Sequence, residues 1–258
     1  MSERNPYEPP AADVTGAGGE AVLVAPQAVS AGRGAGWFRE GLALFGRDWL
    51  IWIVNTILLL VILIVLGMIP LVSILTNILA PIFTGGLMLG CRSLDEGGRL
   101  EVGHLFAGFT HNSGRLAAVG GLYLLGTILV MIAAALVVLA LGVDFGTMMT
   151  EPEAMTPEQG SSLLVGALVM LALFVPLLMA YWFAPALVVL HDLGAMQAMK
   201  LSFRGCLKNI LPFLIYGLVG LLLAVLATIP FGLGWLALVP VMTASIYVGY
   251  KDIYLGRP

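Results

Sequence analysis

His104 and His111 stand seven residues apart, on one face of any helix that carries them, as a pair of metal ligands would be. No cysteine or carboxylate joins them at ligand spacing, so they read as surface histidines. His191-Asp192 closes a long apolar run, where an interfacial ion pair or a helix cap explains it. Asp144, Glu151, Glu153 and Glu158 share one connection and would attract Ca²⁺. They lack the spacing of an EF-hand loop, and a solvated acidic loop is the expectation. Asn55 and Asn77 fall inside apolar runs, where an amide either hydrogen-bonds across helices or touches a substrate. Tyr181-Trp182-Phe183-Ala184-Pro185 sets three aromatics before a proline, as cavity lining or as packed or lipid-facing rings. Phosphate-cradling glycines, a nucleophile elbow and a metalloprotease helix are all missing.

The apolar runs carry no Asp, Glu, Lys, Arg or His in their central parts. Ion-coupled carriers, pumps and membrane proteases need such groups, paired and facing inward. We therefore expect no enzyme, no cofactor, no bound metal and no nucleic-acid partner.

The elements that hold these residues are membrane helices. The 258 residues are 60% hydrophobic and only 10% charged, against roughly 25% charged in soluble domains. Runs such as 57–66, 128–141 and 218–229 offer water no polar face, so lipid is their solvent. Six runs are each near the ~20 residues that cross hydrocarbon. They cover 49–69, 71–91, 116–141, 163–190, 210–229 and 232–250, with tight turns at 67–70 and 230–232. All twelve basic residues fall before the first run, in 92–115, in 191–209 or after the last. The other three connections hold none, and the acidic loop is one of them. With six crossings the two sets alternate without exception, which the positive-inside rule turns into a multi-pass inner-membrane protein with both termini cytoplasmic.

Each pair of runs follows an amphipathic lead-in. Trp37, Phe38, Gly41/Leu42, Phe45 and Trp49 oppose Arg39, Glu40, Arg47 and Asp48; Val102, Leu105, Phe106 and Phe109 form the second stripe. In the third, Met196, Met199, Phe203 and Leu207 oppose Lys200, Arg204 and Lys208, a row suited to the anionic inner leaflet. The second and sixth runs match at an offset of 159: Pro81 with Pro240, Thr84 with Thr243, Gly86 with Ser245, Gly90 with Gly249. Pro176 leads the fourth run, and Pro185 follows it. The expected fold is all-α and polytopic: six transmembrane helices in three pseudo-repeated hairpins (about 37–95, 100–192 and 194–254), each behind an interfacial helix. Prolines permit kinks, and small residues let helices close up. These positions therefore read as helix packing, with lining of a cavity the alternative.

Residues 1–35 are rich in Pro, Gly, Ala and Ser and read as a disordered cytoplasmic tail, not a signal peptide, with 36–255 as the membrane domain. Residues 5–10 suit a polyproline docking peptide or a plain solvated tail. Cys91 and Cys206 read as free thiols at cytoplasmic helix ends.

Asn5-Pro6-Tyr7, Gly36-Trp37, Glu40-Gly41, Leu44-Phe45, Leu105-Phe106-Ala107-Gly108-Phe109, Tyr181-Trp182-Phe183-Ala184-Pro185, Ser202-Phe203 and Tyr250-Lys251-Asp252-Ile253-Tyr254 resemble a family of six-span proteobacterial inner-membrane proteins along essentially the whole chain. More distantly, the tripled unit is similar to the membrane-anchor domain of bacterial glycerophosphodiester phosphodiesterases. The catalytic domain of those enzymes has no counterpart here, so the resemblance implies architecture and no activity. The expected role is structural or accessory, organising membrane lipids or another membrane protein; the alternative is a passive or partner-driven conduit for a small or lipidic molecule.

Overall fold

The computed structural model describes residues 22–143, 146 and 156–255. Residues 5–10, Asp144, Glu151 and Glu153 lie outside the described residues. The helices run in the order α1 (Arg33–Arg47), α2 (Trp49–Gly67), α3 (Pro70–Asp95), a 3₁₀ turn (Val102–Phe106), α4 (Ala107–Thr110), α5 (Ser113–Ala140), α6 (Pro157–Trp182), α7 (Ala184–His191), α8 (Ala195–Lys208), α9 (Ile210–Thr228) and α10 (Trp235–Tyr254).

Among the described residues, five stretches are long and apolar enough to cross a membrane: Trp49–Gly67, Ile74–Asp95, Ser113–Ala140, Pro157–His191 and Ile210–Thr228. The sixth expected run is the 20-residue helix α10, which is not among the five. It carries Lys251 and Asp252 and has neighbours on several sides, with α1 along it and α2, α3 and α9 against it. Leu238, Val241, Ala244, Tyr247 and Ile253 are buried. A helix wrapped by protein has no need of an unbroken apolar surface. The outer helices are the reverse: Leu129 and Leu136 on α5, Leu168 and Leu171 on α6, and Leu218 and Leu222 on α9 are all more than half exposed. Hydrocarbon accepts that surface, and water would not.

Three polar residues launch helices and pin distant backbone. Asp48 precedes α2, and its Oδ2 accepts the Leu100 N–H at 2.9 Å. Asn112, in a left-handed conformation before α5, donates from Nδ2 to Asp192 Oδ1 at 2.7 Å and to the Val188 carbonyl. Asn209 precedes α9; its Oδ1 accepts the Val29 N–H and its Nδ2 donates to the Gln27 carbonyl, both at 2.8 Å. Each therefore ties down the connection that leads into a short helical segment. Those segments lie across long helices in turn: the 3₁₀ turn and α4 on α3, α8 on α6 and α7, and α1 on α10. The first short helix thus rests on the last long one.

Several expectations change. The tail does not run to residue 35: the N–H groups of Val24 and Gln27 donate to the carbonyls of Tyr254 and Ile253, at 2.8 and 2.9 Å. Backbone pairing of this kind leaves no mark in composition. The lead-in at 102–110 is a 3₁₀ turn followed by one helical turn, not one regular helix. On α1, Trp37, Phe38, Gly41 and Leu44 are buried against α9 and α10, while Leu42 on α1 and Trp49 at the start of α2 are large apolar residues left exposed. Asn55 does not bridge the first hairpin; its Nδ2 donates to the Glu101 carbonyl at 3.3 Å, and its Oδ1 and the nearby Trp52 Nε1 are buried without partners.

Candidate functional site

The small residues singled out by sequence sit where backbones meet. A side chain on Gly86 would run into the His104 carbonyl and meet the Gly108 nitrogen at 3.0 Å. One on Gly108 would strike the Ile82 carbonyl. Gly90 faces Leu100 and His104. The crossing of α1 over α10 uses the matched positions: a Cβ on Gly41 would meet Ser245 N at 2.8 Å and Val241 O at 2.9 Å, and Gly249 lies under the Trp37 ring. Pro81 and Pro240 are buried mid-helix. Thr84 and Thr243 spend their hydroxyls on carbonyls one turn back, Ala80 at 2.9 Å and Val239 at 3.0 Å. Ser245 is fully buried, donating to the Met242 carbonyl and sharing a 2.8 Å hydrogen bond with the Tyr216 hydroxyl.

Around α6 the pattern differs. Pro176 is exposed on the surface of its helix, not buried like Pro81 and Pro240. Pro185 sits in the first turn of α7, just beyond the break at Phe183. Proline cannot donate to the carbonyl four residues back, so a helix breaks or kinks near it. Ser202 of α8 fills the opening: its Oγ accepts the Phe183 N–H at 2.9 Å and donates to the Met179 carbonyl at 2.7 Å. Those two groups would otherwise bond each other along the helix. A side chain inserted into the backbone ladder is a recognised cause of a helix bend. Neither spacing nor hydropathy singles out Ser202; its neighbourhood with Phe203 is the nearest sequence trace.

Charged groups cluster at the ends of α1, α3 and α10. Asp252 Oδ2 accepts from Arg33 Nε at 2.5 Å and from Trp37 Nε1 at 2.8 Å, and Arg33 also pairs with Glu40 at 2.6 Å. Hydrogen bonds to Glu40 and then Asp252 hold the Arg33 guanidinium protonated beyond its ordinary range. Asp95 takes Lys251 Nζ at 2.5 Å and the Tyr247 hydroxyl at 3.3 Å. The tail motif 250–254 is thus the tie between α10, α1 and α3. His191 hydrogen-bonds the Tyr250 hydroxyl, and Asp192 is a left-handed cap held by Asn112 and Arg115. His104 Nδ1 accepts the Glu101 N–H at 2.9 Å, and His111 hydrogen-bonds its own turn.

On α8, Ala198, Met199, Ser202, Gly205 and Cys206 are buried, whereas Met196 and Leu207 are about half exposed. Lys200, Arg204 and Lys208 are exposed; Lys208 Nζ donates to the Pro26 carbonyl at 3.0 Å. Cys91 and Cys206 are buried free thiols, and burial pushes Cys206 up to about 12. A cavity of about 640 Å³ lies between α6 and α9, lined by Leu178, Trp182, Phe213, Gly217 and Leu221, and by Met242 of α10. None of the ten proline and small-residue positions lines it.

The chain is 32% identical over 231 residues to a probable inner membrane protein of Burkholderia thailandensis, covering 85% of this chain and 82% of that protein. This chain belongs to that inner-membrane protein family. No family model and no solved structure matches it. As a member of the family it is a multi-pass inner-membrane protein, and its apolar outer helices carry the surface that location requires.

Proposed function

We propose that the protein is a non-enzymatic structural or accessory component of the inner membrane, organising lipids or a membrane partner. The observation that carries this reading is the fate of the buried polar side chains. Ser202, Ser245 and Asn209 each close a backbone break, a helix contact or a cap, Thr56 bonds the carbonyl one turn back, and the buried groups without a partner, Asn55 Oδ1 and Trp52 Nε1, do not ionise at physiological pH; buried ionised residues are missing from the core among the described residues. A catalytic or ion-coupled centre needs ionisable groups left over for a substrate.

In this reading α10 is the sixth crossing and both termini are cytoplasmic. The chain is three pseudo-repeats of an interfacial helix and two spans, a likeness to the phosphodiesterase membrane anchors in architecture only. Support comes from the three helix-launching residues Asp48, Asn112 and Asn209, each gripping the connection into the next short segment, and from the matched crossings at Gly86 and Ser245. Membrane lipids, and a second membrane protein, are the partners; nucleic acid and cofactors are not.

Purification in native lipid followed by mass spectrometry tests it, with a reproducible lipid or protein partner expected. A conduit instead requires a water-accessible path past Thr84 and Thr243. Cysteines placed at those two positions stay inert to polar thiol reagents if the scaffold reading holds, and react if it fails.

A further inference from the structure

The three seams between a long helix and the helix launched beside it are not alike. Thr56, Gly120 and Gly217 occupy the same place, eight residues beyond Asp48, Asn112 and Asn209. At Gly120 a Cβ would meet the Asn77 carbonyl oxygen at 2.5 Å and Ile78 Cα at 2.6 Å, so α5 seats backbone to backbone on α3. At Gly217 nothing lies within 4 Å. There α9 stands away from α6, and the gap is the cavity of about 640 Å³.

We infer that this gap is a lipid seat: one acyl chain of an anionic phospholipid lies between α6 and α9, with its phosphate at Lys200 and Arg204. The inference deepens the lipid-organising reading and rests on it.

Three observations point to the occupant. Most polar groups on the walls are already used, the Tyr216 hydroxyl by Ser245, the Trp235 Nε1 by Thr228 and the Cys206 thiol by the Met179 carbonyl, which leaves the Trp182 indole N–H in an otherwise apolar lining that gives water little hold. The lining runs from Ile210 to Ala224, about 21 Å at 1.5 Å per residue. One leaflet of hydrocarbon is about 15 Å deep, half of the ~30 Å core, so a chain entering from one face is accommodated along its length. Finally, Leu207 lines the α8 end of the groove, with Arg204 one helical turn before it and Lys200 a turn further. Both cations are exposed, and neither has a hydrogen bond or ion pair among the described residues. Guanidinium and ammonium together match a phosphate diester, the arginine by a two-pronged contact.

Trp182 on the groove wall supplies the readout. The full chain is reconstituted into phosphatidylethanolamine vesicles containing one quarter brominated phosphatidylglycerol, or the same fraction of brominated phosphatidylethanolamine. The Trp182 signal is taken as the difference from Trp182→Phe. Brominated phosphatidylglycerol is expected to quench it at least twofold more strongly. Lys200→Gln with Arg204→Gln, two surface changes that leave the fold alone, abolishes the preference but not the quenching. Gly217→Phe, which fills the groove, lowers quenching by both lipids. Equal quenching by the two lipids in the parent protein overturns the seat. So does a Gly217→Phe protein, folded by its melting profile, that is quenched as before. Loss of a co-purifying protein or of self-association in Gly217→Phe, with lipid quenching unchanged, also overturns it in favour of that other occupant. A thiol label showing Lys200 on the outer face instead overturns the topology beneath both readings, with the quenching preference intact.

Discussion

Helices α10 and α6 invert what hydropathy teaches in water. Helix α6 faces outward along most of its length, and six of its leucines and valines are well exposed, from Leu164 to Val175. Helix α10 carries Lys251, Asp252, Ser245 and three tyrosines, and is among the most buried elements of the molecule. In a bilayer the driving force for placing leucine inside disappears, because lipid is as apolar as leucine. Close packing and hydrogen bonds then decide what lies at the centre. Small residues and polar ties mark the core, and continuous apolarity marks the surface.

The largest test of that contrast is Gly86→Val. Its side chain would collide with the His104 backbone, and we expect a loss of about 3 kcal/mol or more, the upper range for overpacking, seen as failure to recover folded protein. Gly217→Val, with open space around it, leaves the melting profile unchanged in detergent. Next is Leu187→Ala on fully buried α7, expected to cost about 2–5 kcal/mol as a core truncation. Ser202→Ala takes the best partner from both the Phe183 N–H and the Met179 carbonyl, leaving the latter the weak Cys206 thiol contact at 3.5 Å, at about 1–3 kcal/mol, read by unfolding in a mixed-detergent titration. Smallest is Leu171→Ala on the exposed side of α6, within about 0.5 kcal/mol of the parent. Equal costs at Leu187 and Leu171 would erase the inside-out distinction.

Much of the helical plan was legible because a bilayer demands long apolar runs, and the runs at 49–69, 116–141 and 210–229 coincide with helices to within a few residues. The matched positions Gly86 and Ser245 were legible as close-packing sites because a crossing needs a residue without bulk, and both lie at crossings. Other features were not. The Asp48, Asn112 and Asn209 ties join residues 52, 80 and 182 positions apart, and no local pattern encodes such pairs. Val24 and Gln27 are held by main-chain hydrogen bonds to Tyr254 and Ile253, to which composition is blind. Pro176 matched its counterparts in spacing and still faces outward, because a proline permits a kink on either side of a helix and only packing chooses the side. The α6–α9 gap was invisible too, since an absent contact has no residue to announce it.

We propose that α10 is a buried crossing helix. Cysteines at Phe231, fully exposed in the turn before α10, and at Leu255, just past its end, decide the matter with a membrane-impermeant maleimide. The native Cys91 and Cys206, both buried, serve as the unreactive background. We predict labelling at Phe231 once the outer face is reached in intact cells, and at Leu255 only after the inner membrane is opened. Labelling of both positions from the same side would contradict it.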